Sequence, residues 1–339
     1  MKEKLLGMTL AELKSAAEAC GLKPFVGAQL ADWLYAKHVR SWDRMVNVSK
    51  AAREALSARY ELGFSDPVGS ALSSDGTKKY LFQLDGQFVE AVVIPEADRA
   101  TLCVSSQAGC KMGCKFCMTG RNGFHGQLDA AGILNQFLSI DAPKALTNAV
   151  FMGMGEPLDN YDTVHRVIEV LTAPWGFAWS PKRITLSTIG VLPALRRFLD
   201  AERCHLAVSL HNPFPEERLS VMPAQKAWDI RDVIALIRQY DFSGQRRVSF
   251  EYTMFAGFND DKRHADALIR LLRGLECRVN LIRFHQIPDF PYGCASDQTM
   301  EAFRDRLNNH QILCTIRTSR GEDILAACGM LAGQHAERS

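Results

Sequence analysis

The chain has 339 residues, 47% hydrophobic and 23% charged, with a formal net charge of +2. This is an ordinary composition for a globular protein, and the length allows one large barrel plus an accessory module, or two domains. No apolar run reaches the ~18 residues of a membrane span, so no membrane partner is expected, and so small a charge does not by itself argue for nucleic acid.

Residues 1–65 read as a small helical domain, with ten Lys/Arg against seven Asp/Glu. Thr9-Leu10-Ala11-Glu12 is a capping box, and Gly21 stops that helix at a C′ position. A second helix is expected after Gly27, with Leu30, Trp33 and Leu34 on one face. A third starts at Ser49 as N-cap and carries Ala52, Leu56 and Tyr60. Residues 66–98 form an extension in which Asp85-Gly86 separates two strand-like runs, Lys79–Leu84 and Gln87–Ile94, the signature of a β-hairpin.

From residue 99 to 339 the pattern becomes repeated strand–helix units. Strands are expected at 101–105, 147–152, 183–188, 204–210, 247–253 and 278–284. Helices near 128–140, 161–172, 192–202, 228–240, 261–274 and 297–309 alternate with them. Six βα units imply a parallel sheet with right-handed crossovers, an open barrel rather than a closed one. A strand at 312–317 and a helix at 322–332 would add a seventh unit. Short basic clusters recur at Lys182-Arg183, Arg246-Arg247 and Arg317/Arg320, a weak signal that usually marks solvated surface.

In parallel βα architectures chemistry lies where strands end, and the unusual residues of this chain are there. Cys110, Cys114 and Cys117, in C-K-M-G-C-K-F-C, follow the first strand. Structural zinc usually takes four ligands. Three thiolates instead suit three irons of a [4Fe–4S] cube, with the fourth iron open to a small molecule. With Phe116 before the last cysteine, the segment resembles the radical S-adenosylmethionine (SAM) enzymes, in which that iron chelates SAM. Gly153-Met154-Gly155-Glu156-Pro157 follows the second strand, where glycines admit a ligand and Glu156 can receive an ammonium. Ser187-Thr188-Ile189-Gly190 follows the third and Ser209-Leu210-His211-Asn212 the fourth. Ten cysteines and an amino terminus without a signal segment point to a reducing cytoplasm. Taken alone, Cys103 and Cys328 would be buried small hydrophobes, and Cys20, Cys204, Cys277, Cys294 and Cys314 core or incidental.

The run from Glu90 to Pro95, then Arg99 to Cys110 with Cys103 inside it, and Ala326-Ala327-Cys328-Gly329 resemble the RlmN/Cfr family of radical SAM RNA adenine methyltransferases over almost the whole chain. The resemblance implies a partial (β/α)6 barrel behind an N-terminal helical domain that helps hold RNA. It implies cluster ligands at Cys110, Cys114 and Cys117, and SAM contacts at Gly155, Glu156, Ser187, Ser209, Leu210 and His211. His285 is a further implied SAM contact; it stands where the family usually has Asn, and an imidazole can also give or take one hydrogen bond.

The resemblance also implies that Cys328 carries a methyl group, that Cys103 resolves the intermediate as a disulfide, and that Glu90 accepts the ring proton. Two SAM are then consumed per turnover. The implied substrates are one adenosine of 23S rRNA and the adenosine 3′ of the anticodon in tRNAs, methylated at carbon 2. An electron donor such as flavodoxin or ferredoxin and a disulfide reductant are the implied partners. Carbon 8 of the rRNA adenosine stays open as the target. So do two other classes: a zinc-holding RNA-binding protein, and a radical SAM enzyme for a small metabolite.

Overall fold

The computed structural model describes residues 2–142, 145–244 and 246–332. Three helices lead the chain: α1 (Leu10–Ala19), α2 (Phe25–Ala31) and α3 (Lys50–Arg59). The capping box forms as read, with the Thr9 hydroxyl accepting from Glu12 N–H and Glu12 reaching back to Thr9 N–H. The second helix starts earlier than expected. Gly27 lies inside it because a Cβ there would come within 2.5 Å of Lys14 Cα, so the residue lets α1 and α2 pack backbone to backbone. Glu3–Lys4 and Tyr60–Glu61 pair in parallel and tie the two ends of this segment together.

Ten strands then form one sheet: β1 (Gly69–Leu72), β2 (Lys78–Leu84), β3 (Gln87–Pro95), β4 (Ala100–Cys103), β5 (Asn148–Phe151), β6 (Ile184–Thr188), β7 (His205–Ser209), β8 (Val248–Met254), β9 (Arg278–Arg283) and β10 (Leu313–Ile316). Each strand lies beside its predecessor, so spatial order equals chain order. β1 to β4 are antiparallel, and β4 to β10 are all parallel. The β2–β3 turn is Asp85-Gly86, both at positive φ (47° and 82°), as a two-residue hairpin matching the sheet twist requires.

Helices α4 (Ala130–Leu138), α5 (Tyr161–Thr172), α6 (Leu192–Ala201), α7 (Pro215–Val221), α8 (Ile230–Ile237), α9 (Lys262–Leu272) and α10 (Asp297–Asn308) fill the crossovers. Side-chain caps fix where several begin: Asp129, Asp229, Asp261 and Ser296 each accept from a backbone N–H of the first turn. Strands covered by helices read as buried runs, and six of the seven residues of β8 are buried. The result is six βα units plus a seventh strand, an open partial barrel. One continuous core runs from the N-terminal helices through the sheet, and a smaller apolar cluster under Phe116 sits at the strand-end rim.

Among the described residues no α-helix follows β10. The expected helix at 322–332 is a single 3-10 turn, Glu322–Ile324, bounded by left-handed backbone at Gly321 (φ 64°) and Leu325 (φ 52°). The polar groups of this segment bond across the barrel instead of along a helix. Gly321 N–H donates to Asp75 (3.0 Å), the Ser73 hydroxyl to Asp323 (2.5 Å) and Met118 N–H to Gly329 O (2.8 Å). The Thr119 hydroxyl donates to Leu331 O (2.6 Å), and Ala332 N–H to Glu90 (2.7 Å). The segment is a strap from the β10 edge back to the β1–β3 side, and Cys328 rides on it.

Candidate active site

The cysteine loop is built by a small hairpin, Gln107–Gly109 against Phe124–Gln127. Gly109 has φ 74°, and a Cβ on it would lie 2.0 Å from Gly123 O; that same carbonyl accepts from Cys110 N–H at 2.8 Å. Only glycine permits that approach. Phe116 explains the aromatic before the third cysteine. Its ring packs on His211 (4.8 Å between centroids), Phe255 (5.3 Å) and Phe290 (6.4 Å), anchoring the loop in the rim cluster.

Cys110, Cys114 and Cys117 line one cavity at the C-terminal ends of the parallel strands. It encloses about 990 Å³ including its mouth, and Gly155, Glu156, Ser187, Ser209, His211 and Cys328 share its wall. Burial pushes the Cys110 thiol up to about 12, and it also raises Cys114 and Cys117, where neighbouring thiols add to the effect. Thiols that oppose ionisation when bare suit a multivalent positive group, which reverses that preference. Among the described residues, no three His, Cys, Asp or Glu converge as a single metal ion requires.

Glu156 has an occupied side chain. Its carboxylate accepts from Leu158 N–H and Ile189 N–H, both at 3.0 Å, stapling the loop after β5 to the loop after β6. Burial raises its pKa to about 7 against these bonds and one from Thr188. His211 is docked as firmly. Its Nδ1 accepts from Thr253 N–H (3.0 Å), its backbone carbonyl accepts from Asn259 (2.6 Å), and its φ is 55°. With Nδ1 an acceptor the ring proton sits on Nε2, and burial together with Arg218 lowers the pKa to about 3. The imidazole is therefore a neutral donor at physiological pH.

A second, wider cavity adjoins the first, and Cys117, Gly153, Arg317 and Cys328 belong to both. Cys103 lines it at the end of β4, and burial pushes that thiol up to about 12, with Cys328 adding and Arg317 opposing. His285 also lines this second cavity rather than the first, and its Nε2 meets the Ser319 hydroxyl at 3.1 Å. Leu210 has a fully buried side chain in the core, so only its backbone belongs to the loop. Glu90 lines neither cavity. Its buried carboxylate meets Lys79 at 2.9 Å and accepts from Ala332 N–H on the strap.

Two residues the motif reading missed organise this site. Arg218 is fully buried; its Nε donates to Leu210 O (3.0 Å) and its Nη2 to Ser209 O (2.9 Å), shaping the Ser209–His211 loop from below. Arg317 bonds Glu251 at 3.3 Å and faces both Cys103 and Cys328. Arg218 lies in an amphipathic helix with no distinguishing sequence signal. Arg317 stood in a basic cluster that looked like surface.

Comparison with known proteins bears on this geometry. Residues 104–268 match the radical SAM superfamily, and residues 3–62 match the ribosomal RNA large subunit methyltransferase N-terminal domain. The chain is 58% identical over 336 residues to the probable dual-specificity RNA methyltransferase RlmN of Porphyromonas gingivalis, covering 99% of this chain and 98% of that one. It belongs to the RlmN family. The dual-specificity RNA methyltransferase RlmN of Syntrophobacter fumaroxidans is 41% identical over 332 residues, covering 96% and 97%. A radical SAM methyltransferase from Sphaerobacter thermophilus superposes with a TM-score of 0.93 at 38% identity, covering 98% of this chain and all of that one. As an RlmN-family member the chain is a radical SAM RNA methyltransferase, with the [4Fe–4S] cluster and SAM that this superfamily uses.

Proposed function

We propose that the chain methylates carbon 2 of an adenosine in 23S rRNA and of the adenosine 3′ of the anticodon in tRNAs, through a methyl group carried on Cys328. The observation that carries this reading is the position of Cys328. It borders the cavity of the three cluster cysteines and also the cavity of Cys103. One thiol can thus meet SAM on one side and substrate plus a second thiol on the other.

Cys110, Cys114 and Cys117 hold the cluster, and the loops carrying Gly155, Glu156, Ser187, Ser209, Leu210 and His211 cradle SAM. When bound, the cluster supplies the electron that turns SAM into a hydrogen-abstracting radical source. Carbon 2 of adenine lies between two ring nitrogens and is too electron-poor to attack a sulfonium methyl. Cys328 as thiolate has no such difficulty, so it takes the methyl from one SAM by displacement, and a second SAM is spent activating that methyl. Once the carbon is joined to the base, Cys103 attacks Cys328 Sγ. A disulfide forms, the sulfur–carbon bond breaks with its electron pair left on the carbon, and that carbon takes up a proton to become the methyl group. The single electron left when the carbon radical joined the ring would return to the cluster. Glu90, whose carboxylate accepts from Ala332 N–H on the strap, is the group assigned to take the ring proton. A flavodoxin- or ferredoxin-like donor and a thiol reductant complete the cycle. His285 borders the substrate side of the site.

The test is anaerobic reconstitution with methyl-labelled SAM and protein-free rRNA or tRNA, followed by mass spectrometry of the digested nucleosides. The expected product is 2-methyladenosine. Finding 8-methyladenosine would move the target atom, and unlabelled RNA would overturn the reading. Cys103→Ala should accumulate a nuclease-sensitive covalent protein–RNA adduct through Cys328, whereas an active variant without adduct would remove Cys103 from the scheme.

A further inference from the structure

The strand-start end of the barrel carries a row of basic side chains that the chemistry above does not use. Lys182 and Arg183 directly precede β6, His205 opens β7, Arg247 directly precedes β8 and Arg278 opens β9. Thr185 lies opposite His205, Leu206 opposite Val248, and Ser249 opposite Arg278, so these positions form one rim across four adjacent strands. Three strand spacings make that rim about 14 Å wide.

Lys182, Arg183, Arg247 and Arg278 are exposed, and among the described residues none of them pairs with a carboxylate. The nearby acids are engaged elsewhere, Glu96 with Arg99 (2.5 Å) and Glu202 with His165 (2.5 Å). Arg246 is different in kind. It is buried and donates to Leu199 O (2.9 Å), a structural role. The rim holds a standing positive field: burial and the surrounding Arg247, Arg278, Lys182 and Arg246 all lower the pKa of His205.

This rim is also a doorway. Lys182, Arg183, His205 and Arg247 line the wide cavity at one end, and the same cavity reaches Cys103 and Cys328 at the other. A polyanion drawn to the rim is therefore aligned with the two thiols from the end opposite the cysteine loop. We propose that the RNA substrate docks its backbone phosphates on this strand-start rim, so that the target base enters the barrel from below while SAM is held from above. The inference rests on the RNA methyltransferase reading and adds where the RNA sits. Phosphate contacts set affinity and its salt dependence without selecting sequence.

The test is the triple variant Lys182→Gln/Arg183→Gln/Arg247→Gln, assayed by fluorescence anisotropy with an anticodon stem-loop RNA from 50 to 300 mM salt. Losing three phosphate contacts should shallow the slope of log affinity against log salt by about two and weaken binding at least tenfold near physiological salt. Iron content and melting temperature should match the wild type. The comparison variant Lys262→Gln/Arg270→Gln/Arg273→Gln removes the same charge from α9 and its end and should barely move the slope. An unchanged slope in the rim variant, or an equal loss in the α9 variant, overturns the docking site even if the wild type methylates RNA. A wild type that methylates no RNA would instead overturn the functional reading on which the inference rests.

Discussion

Replacing His211 by asparagine separates two consequences of burying that ring. Asparagine accepts a left-handed backbone such as φ 55° more readily than most residues, and its Oδ1 can take the bond from Thr253 N–H now made to Nδ1. What is lost is the ring contact with Phe116 at 4.8 Å, a cost of about 1 kcal/mol at neutral pH. What is also lost is the titration. The native imidazole stays neutral down to about 3, against an ordinary value of 6.5. Below pH 6.5 the unfolded chain therefore binds a proton that the native chain refuses. His211 contributes its full stability above that pH, and the contribution falls as pH drops towards 3.

At about 1.4 kcal/mol per pH unit, this amounts to about 3 kcal/mol by pH 4. His211→Asn should thus be slightly less stable than wild type at pH 7 and about 2 kcal/mol more stable at pH 4, the two curves crossing just below pH 6. Urea unfolding of both iron-stripped chains under argon at half-unit pH steps measures this, and other acid-sensitive groups cancel in the difference. A wild-type-minus-variant difference that stays flat from pH 7 to 4 would show that the ring is not held neutral by its surroundings.

Gly109→Ala should abolish stable cluster loading. The left-handed backbone alone costs about 1–2 kcal/mol, and the 2.0 Å approach to Gly123 O must open, releasing the bond to Cys110 N–H. Iron per chain after anaerobic reconstitution should fall below half, and full iron at wild-type melting temperature would refute the argument. Arg218→Met should cost about 3–5 kcal/mol, since the carbonyls of Ser209 and Leu210 lose their buried donor, and SAM affinity should drop more than tenfold. Calorimetric titration and thermal melts measure both, and a variant with wild-type values would show that the guanidinium does not shape the loop.

The alternation of elements was legible from Ala100 onward because each parallel strand packs one face against the outer helices, which leaves short strands with recurring buried apolar residues cut by polar, capped helices. The order of the strands followed from the same pattern. The cysteine loop was legible because spacing is a local property. What escaped reading depended on distant partners. Gly27 looked like a helix start, yet it serves a backbone contact with Lys14. Residues 322–332 have helical composition, but their polar groups bond to Ser73, Asp75, Glu90 and Thr119, far away in sequence. Glu156 was read as an open acceptor for an ammonium, and its bonds to two loops became visible only once those loops were adjacent. Arg218 and Arg317 escaped for the same reason, since a buried cation is defined by its acceptors.

Because strand order equals chain order, each new strand finds its neighbour already made, and the sheet can grow from one edge without rearrangement. The strap is synthesised after every strand it bridges, so it is the final latch on an otherwise finished vessel. Until it fastens at Asp75 and Glu90, the flank that Cys328 comes to occupy stays unguarded, and the cavity of the three cysteines remains reachable. Cys328 is thereby the last of the cavity's thiols in the chain to reach its place, an order set by topology alone.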